Sequence, residues 1–184
     1  LHLFSMLLPR FEKIKTFIFD VDGVLTDSTL LLMDDGSLVR RMNVKDGYAI
    51  RVAINAGYQI IIITGGNSLS VKKRLNDLGV SDIFLQTEDK QTLVQELLDK
   101  GRIVAEQTLY MGDDIIDLGA MSLIALPTAP MDAVTDVKSV ALYVSPFSGG
   151  QGCVRDVIEK VLKIQGVWPQ MNTVSGKGIS GLNE

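Results

Sequence analysis

Four isoleucines, Ile60 to Ile63, stand in a row between Gly57 and the triplet Thr64-Gly65-Gly66. β-Branched side chains lose rotamer freedom in a helix and pack well on a pleated surface, so residues 58–64 read as a strand. A strand that is apolar on both faces has no wet side. It belongs at the centre of a parallel sheet covered by helices above and below. Each parallel pairing also needs a crossover between strands, usually a helix.

The chain supplies that alternation. Residues 16–20 read as a buried strand ending in an acid, and 46–56 as a helix stopped by Gly57. A helix over 68–78 with a basic face ends at Gly79, and 83–85 form a short strand. Asp89 caps a helix running to about Lys100, and Thr108 to Met111 form another strand. A short helix follows, then strands at 123–126 and 141–144, and a last helix at 154–165. The predicted fold is a doubly wound, mostly parallel α/β sheet. One insertion breaks the rhythm, within about residues 25–42. There 29–33 and 38–42 flank Asp34-Asp35-Gly36, which reads as a β-hairpin turn, and no cap domain follows.

One domain over residues 15–166 is expected, with an extension at 1–14 and a tail at 167–184. The apolar start reads as a short helix packing on the body or on a partner chain. The tail carries Gly176, Gly178 and Gly181 among Ser and Asn and reads as flexible.

Composition narrows the chemistry. Eighteen Lys and Arg against 22 Asp and Glu give a net charge of -4, so no basic excess exists for nucleic acid. With no apolar run near the ~20 residues of a membrane span and no basic leader, a cytoplasmic protein without a membrane partner is expected. The chain has one His, His2, and one Cys, Cys153, which excludes a disulfide framework and argues against His-based triads and His- or Cys-based metal sites. Cys153 reads as a small buried side chain, and Trp168 as a packing residue. Catalysis must run on carboxylates, hydroxyls and Lys or Arg.

Those groups collect at predicted strand ends, where open α/β sheets bind ligands. Asp20 and Asp22 lie two apart on an extended segment and share a face. Thr64-Gly65 follows the isoleucine run, Lys90 opens a helix, and Gly112-Asp113-Asp114 with Asp117 follows another strand. The set suits phosphoryl transfer. One Asp attacks phosphorus, a second protonates the leaving oxygen, and carboxylates with a backbone carbonyl hold Mg²⁺. Thr64, Lys90 and the amide of Gly65 would hold phosphate oxygens.

Phe19-Asp20-Val21-Asp22-Gly23-Val24-Leu25-Thr26 resembles the first motif of the haloacid dehalogenase superfamily. Thr64, Lys90 and Gly112-Asp113-Asp114-x-x-Asp117 resemble its second, third and fourth, in order, within a likeness spanning about 15–165. The resemblance implies Asp20 as nucleophile and Asp22 as acid/base. It implies Mg²⁺ on Asp20, the Asp22 carbonyl and Asp113, with Asp114 and Asp117 positioning the metal's waters or Lys90.

Only 41 residues separate Asp22 from Thr64 and 25 separate Thr64 from Lys90, which leaves no room for a lid domain. This resembles the capless branch, in which the hairpin builds a homotetramer with active sites near subunit interfaces. Asn43-Val-Lys-Asp-Gly-Tyr48 and Gly149-Gly-Gln-Gly152 with Val154-Arg155-Asp156 resemble segments of members acting on phosphorylated sugar acids. The implied substrate is a 3-deoxy-octulosonate 8-phosphate of lipopolysaccharide synthesis, with a nonulosonate 9-phosphate as the alternative. Substrate candidates are Lys45, Asp46, Gly66 and Arg74. Many relatives carry Arg where Gly66 stands, so Lys45, Lys72 or Arg74 would have to supply the missing cation. Read without the resemblance, Lys45 and Asp46 could merely cap their helix, and Lys72-Lys73-Arg74 could be a solvated face. Two other functions use similar parts: a phospho-acceptor receiver domain, and a non-catalytic regulatory or assembly subunit.

Overall fold

A computed structural model describes residues 2–169. Strand β1 (Thr16–Phe19) lies near the middle of a six-stranded sheet. The other members are β4 (Gln59–Ile63), β5 (Asp82–Phe84), β6 (Thr108–Met111), β7 (Leu126–Ala129) and β8 (Tyr143–Val144). Their order is β5-β4-β1-β6-β7-β8, and every pairing is parallel. The insertion forms a separate antiparallel pair, β2 (Leu31–Leu32) and β3 (Leu38–Val39).

The isoleucine run occupies the predicted place. Ile60 and Ile62 join Phe17 and Phe19 in one core layer, while Ile61 and Ile63 join Ile18 and Tyr110 in the other. Alternating side chains thus feed two cores. The first layer is covered by α1 (His2–Phe11), α2 (Val44–Asn55), α3 (Leu69–Asp77) and α7 (Cys153–Ile164). The second is covered by α4 (Lys90–Asp99), α5 (Leu118–Ser122) and α6 (Thr135–Val140). Leu7 and Phe11 are buried, so the apolar start packs on the body.

Local signals set most boundaries. The side chains of Asn43, Ser68 and Asp89 accept from Lys45, Val71 and Thr92 amides at the starts of α2, α3 and α4. Gly57 and Gly79 take positive φ after α2 and α3, which a glycine adopts without strain. The buried thiol of Cys153 donates to the Val24 carbonyl.

Three expectations shift. Helix α2 starts at Val44, two residues early, because Asn43 is its cap. The strand expected at 123–126 forms instead at Leu126–Ala129, and α6 was not foreseen. Proline has no N–H to donate and is rare inside central strands. Pro127 is nevertheless the second residue of β7, its carbonyl accepting from the Leu142 amide. Leu123 closes α5. The expected flexible tail lies, from residue 170 onward, outside the described residues.

Candidate active site

Parallel register brings the carboxyl ends of β1, β4 and β6 together. Phe19 is level with Ile62 and Met111, so Asp20, Thr64 and Gly112-Asp113 emerge side by side. Asp20 is buried. Its Oδ1 accepts from the Val21 amide at 2.6 Å, and its Oδ2 lies 2.6 Å from Lys90 Nζ. Lys90, buried at the start of α4, also reaches Asp117 Oδ1 at 2.8 Å. Asp117 is fully engaged: Oδ1 also accepts from Tyr110 Oη at 2.7 Å, and Oδ2 accepts from the Asp113 and Asp114 amides at 3.1 and 3.3 Å. It fastens the Gly112–Asp114 turn and aims the ammonium.

Asp113 is different. Its Oδ1 is buried with no hydrogen-bond partner, and its Oδ2 is 3.4 Å from Ser28 Oγ. Gly23, at φ 90°, lies flat against this carboxylate. A Cβ there would fall well under 3.0 Å from it. Oxygens of Asp20, Asp113 and Asp117 lie within 4.8 Å of one another.

Three carboxylates thus surround one ammonium. Burial, then the Asp117 charge, pushes Asp20 up from 3.8 to about 7 despite Lys90. Burial, then the charges of Asp20, Asp117 and Asp114, pushes Asp113 up to about 7. Burial works against the Lys90 ammonium, but Asp20 and Asp117 outweigh it and hold its pKa above the usual lysine value. A buried acceptor without a donor, within an uncompensated acidic cluster, fits a hard divalent cation. Asp20 and Asp113 offer oxygens to it. Asp117 has both oxygens committed.

The other predicted residues are placed as follows. Thr64 is buried, its Oγ1 accepting from the Gly66 amide at 3.0 Å, with Gly65 between them. Asp114 turns to the Ile115 amide at 2.7 Å. Asp22 points to Arg40, which spans both its oxygens: Nε to Oδ1 at 2.6 Å and Nη2 to Oδ2 at 3.1 Å. Gly66 borders that pair, since a Cβ there would lie 3.6 Å from Arg40 Nη2 and from Asp22 Oδ2.

The remaining substrate candidates have contacts elsewhere. Asp46 is buried and accepts from the Arg155 amide at 2.7 Å, at the start of α7. Burial pushes its carboxyl up to about 6. Arg74 packs on Gly47 of α2, its Nη2 3.2 Å from where a Cβ would stand. Lys45 lines a groove of about 640 Å³ with Arg155 and Lys160.

The two sugar-acid segments brace the loop after β1. Gly150 donates to the Val24 carbonyl at 2.9 Å and accepts from Asn43 Nδ2 at 3.2 Å. Gly149 presses on the Gly23 carbonyl so closely that a side chain is excluded. Sequence reasoning missed Arg40, Tyr110 and Ser28. For Ser28, at φ 60°, and for Arg40 no local signal exists. Tyr110 lies two residues before Gly112, where only its hydroxyl distinguishes it from core.

No family model matches the chain. A Haemophilus influenzae 3-deoxy-D-manno-octulosonate 8-phosphate phosphatase is 34% identical over 167 residues, 91% of this chain and 93% of that one. A Moraxella catarrhalis phosphatase of the same name, solved with magnesium, phosphate and KDO, superposes with a TM-score of 0.84 at 31% identity, over 88% of this chain and 93% of the other. A Legionella pneumophila structure described as a hydrolase of the HAD superfamily, subfamily III A, gives 0.86 at 31% identity, over 90% and 91%.

Proposed function

This chain belongs to the 3-deoxy-D-manno-octulosonate 8-phosphate phosphatases of the haloacid dehalogenase superfamily, and we propose that it hydrolyses that sugar-acid phosphate with Mg²⁺. The observation that carries the reading is the Asp20–Lys90–Asp113 arrangement, with a nucleophile held on both oxygens beside an unpartnered buried carboxylate oxygen. Asp20 and Asp113, with the Asp22 carbonyl, would hold the ion. When bound, it offsets negative charge between carboxylate and phosphate.

In the first step an Asp20 oxygen attacks phosphorus while the sugar oxygen leaves with a proton from Asp22. In the second, water attacks the aspartyl-phosphate and gives its proton to Asp22, releasing phosphate and restoring Asp20. Lys90 keeps Asp20 oriented, and Thr64, the Gly65 amide and Lys90 face the phosphate oxygens. Asp114 and Asp117 shape the turn that carries Asp113.

Phosphate release from the sugar-acid 8-phosphate should vanish in Asp20→Asn; full turnover there would remove Asp20 as nucleophile. A kcat/KM comparison with a nonulosonate 9-phosphate fixes which sugar is preferred. A phosphoprotein stable for minutes would favour the receiver reading instead.

The hydrolase domain is read as 15–166. Assembly as a homotetramer through the hairpin is part of the proposal. Leu31 and Leu32 are 62% and 72% exposed, an apolar surface unusual for a solvated strand pair. A monomeric mass in solution would contradict it. No helix among the described residues is long and apolar enough to cross a membrane, and a cytoplasmic location is proposed, in keeping with the buried, unpaired Cys153.

A further inference from the structure

Asp22 is assigned to proton transfer, yet Arg40 grips both of its oxygens. A two-point guanidinium–carboxylate pair is strong and directional. Held this way, Asp22 is not free to serve a leaving group. The grip comes from outside the sheet: Arg40 follows directly on β3, the second hairpin strand. Gly66 borders the same spot, and with no side chain at 66 the guanidinium fills the corner beside Thr64 and Asp22. The Arg40 side chain is 10% exposed while that of Asp22 is 39% exposed, so the pair stands at the mouth of the site. Of the other candidate cations, Arg74 packs on α2 and Lys45 lines the groove beside α7.

We propose that Arg40 selects acid-bearing substrates: its guanidinium leaves Asp22 for the carboxylate of the incoming sugar-acid phosphate, and that exchange frees Asp22. The proposal rests on the sugar-acid phosphatase reading above. A planar fork can trade one carboxylate for another while keeping its two-point geometry, so the exchange costs little. A phosphate ester whose sugar bears no carboxylate has its phosphate engaged at Asp20, offers no second anion to trade and leaves Asp22 latched. No covalent bond changes in this step.

The test compares kcat/KM for 3-deoxy-D-manno-octulosonate 8-phosphate and for ribose 5-phosphate, which has no carboxylate. Wild type, Arg40→Gln, Arg40→Lys and Arg41→Gln are assayed with Mg²⁺. Arg41 is the control for hairpin charge, since its side chain is 81% exposed and pairs with Asp27. Arg40→Gln should lose about 10- to 100-fold on the sugar acid and gain on ribose 5-phosphate, so the preference collapses. Arg40→Lys should fall between, and Arg41→Gln should keep the wild-type preference. Equal losses on both esters would make Arg40 a support for Asp22 alone and overturn the proposal. An unchanged preference in Arg40→Gln would overturn it too, while leaving the sugar-acid reading intact. A wild type without preference for the acid would overturn both.

Discussion

Removing the divalent cation should make the folded state weaken as pH rises. Asp20 and Asp113 ionise near 7 in the folded chain, against 3.8 for an ordinary carboxyl. Below about pH 4 both groups are protonated in both states and contribute nothing. Between about pH 4 and pH 7 the unfolded chain releases protons that the folded chain keeps, so stability falls. Above about 7 the cost is complete. For buried Asp20 a displacement from 3.8 to about 7 corresponds to at most about 4 kcal/mol. Asp113 is partly open to solvent, and screening leaves it about 1 to 2 kcal/mol. The two do not add, because protonating either relieves the other.

Mg²⁺ binds the ionised folded form and should reverse the trend, by about 2.7 kcal/mol at a hundred times its dissociation constant. Urea denaturation from about pH 5 to about pH 8, in chelator and in Mg²⁺, reads the effect. In chelator the midpoint should fall with pH. In Mg²⁺ the fall should shrink or vanish. Asp113→Asn should be more stable than wild type in chelator at about pH 8 and should lose the Mg²⁺ response. A flat profile in chelator, or an Asp113→Asn chain that still gains stability from Mg²⁺, would refute the reasoning.

Gly23→Ala combines a φ of 90° with a Cβ driven into the Asp113 carboxylate. It should cost about 2 to 4 kcal/mol in urea denaturation and abolish stabilisation by Mg²⁺; an intact Mg²⁺ response would contradict the packing argument. Tyr110→Phe removes one donor from Asp117 Oδ1 and leaves Lys90 there. It should cost about 1 kcal/mol and lower kcat more than it raises KM, because Lys90 is less firmly aimed; a change in KM alone would argue against that role.

The parts of this fold that were legible are those whose signal is local. Four adjacent β-branched residues state their strand without help from the rest of the chain, and period-two burial across β1 and β4 follows from it. The D-x-D and G-D-D strand ends were legible for the same reason, since neighbours in sequence are neighbours in the site. Strand β7 carries a proline in its interior, and a missing N–H is costly only if the partner strand needs that donor. Here the Pro127 carbonyl supplies the bond to Leu142 instead. Helix α6 is six residues with three valines or threonines, too short and too β-branched to show a helical period.

What stayed hidden depends on contacts between distant segments. Arg40 meets Asp22 only because the hairpin folds back over the strand end. Asp46 is the instructive case. An acid near the start of a helix reads as its own helix's cap or as a ligand, but Asp46 caps α7, 109 positions away. The first residue before α7 is Gly152, which has no side chain to offer. The chain therefore borrows a carboxylate from α2, and Asn43 on the same turn holds Gly150. The two segments that resemble sugar-acid enzymes are thus bonded to each other, and through Gly149 and Gly150 they press the loop carrying Gly23 and Val24 into place. Asp46 and the glycine-rich loop accordingly act on chemistry through backbone placement, by fixing where Gly23 lets Asp113 lie. Choice of substrate is then proposed to fall to groups at the mouth of the site, where the fold puts the Arg40 guanidinium against Asp22.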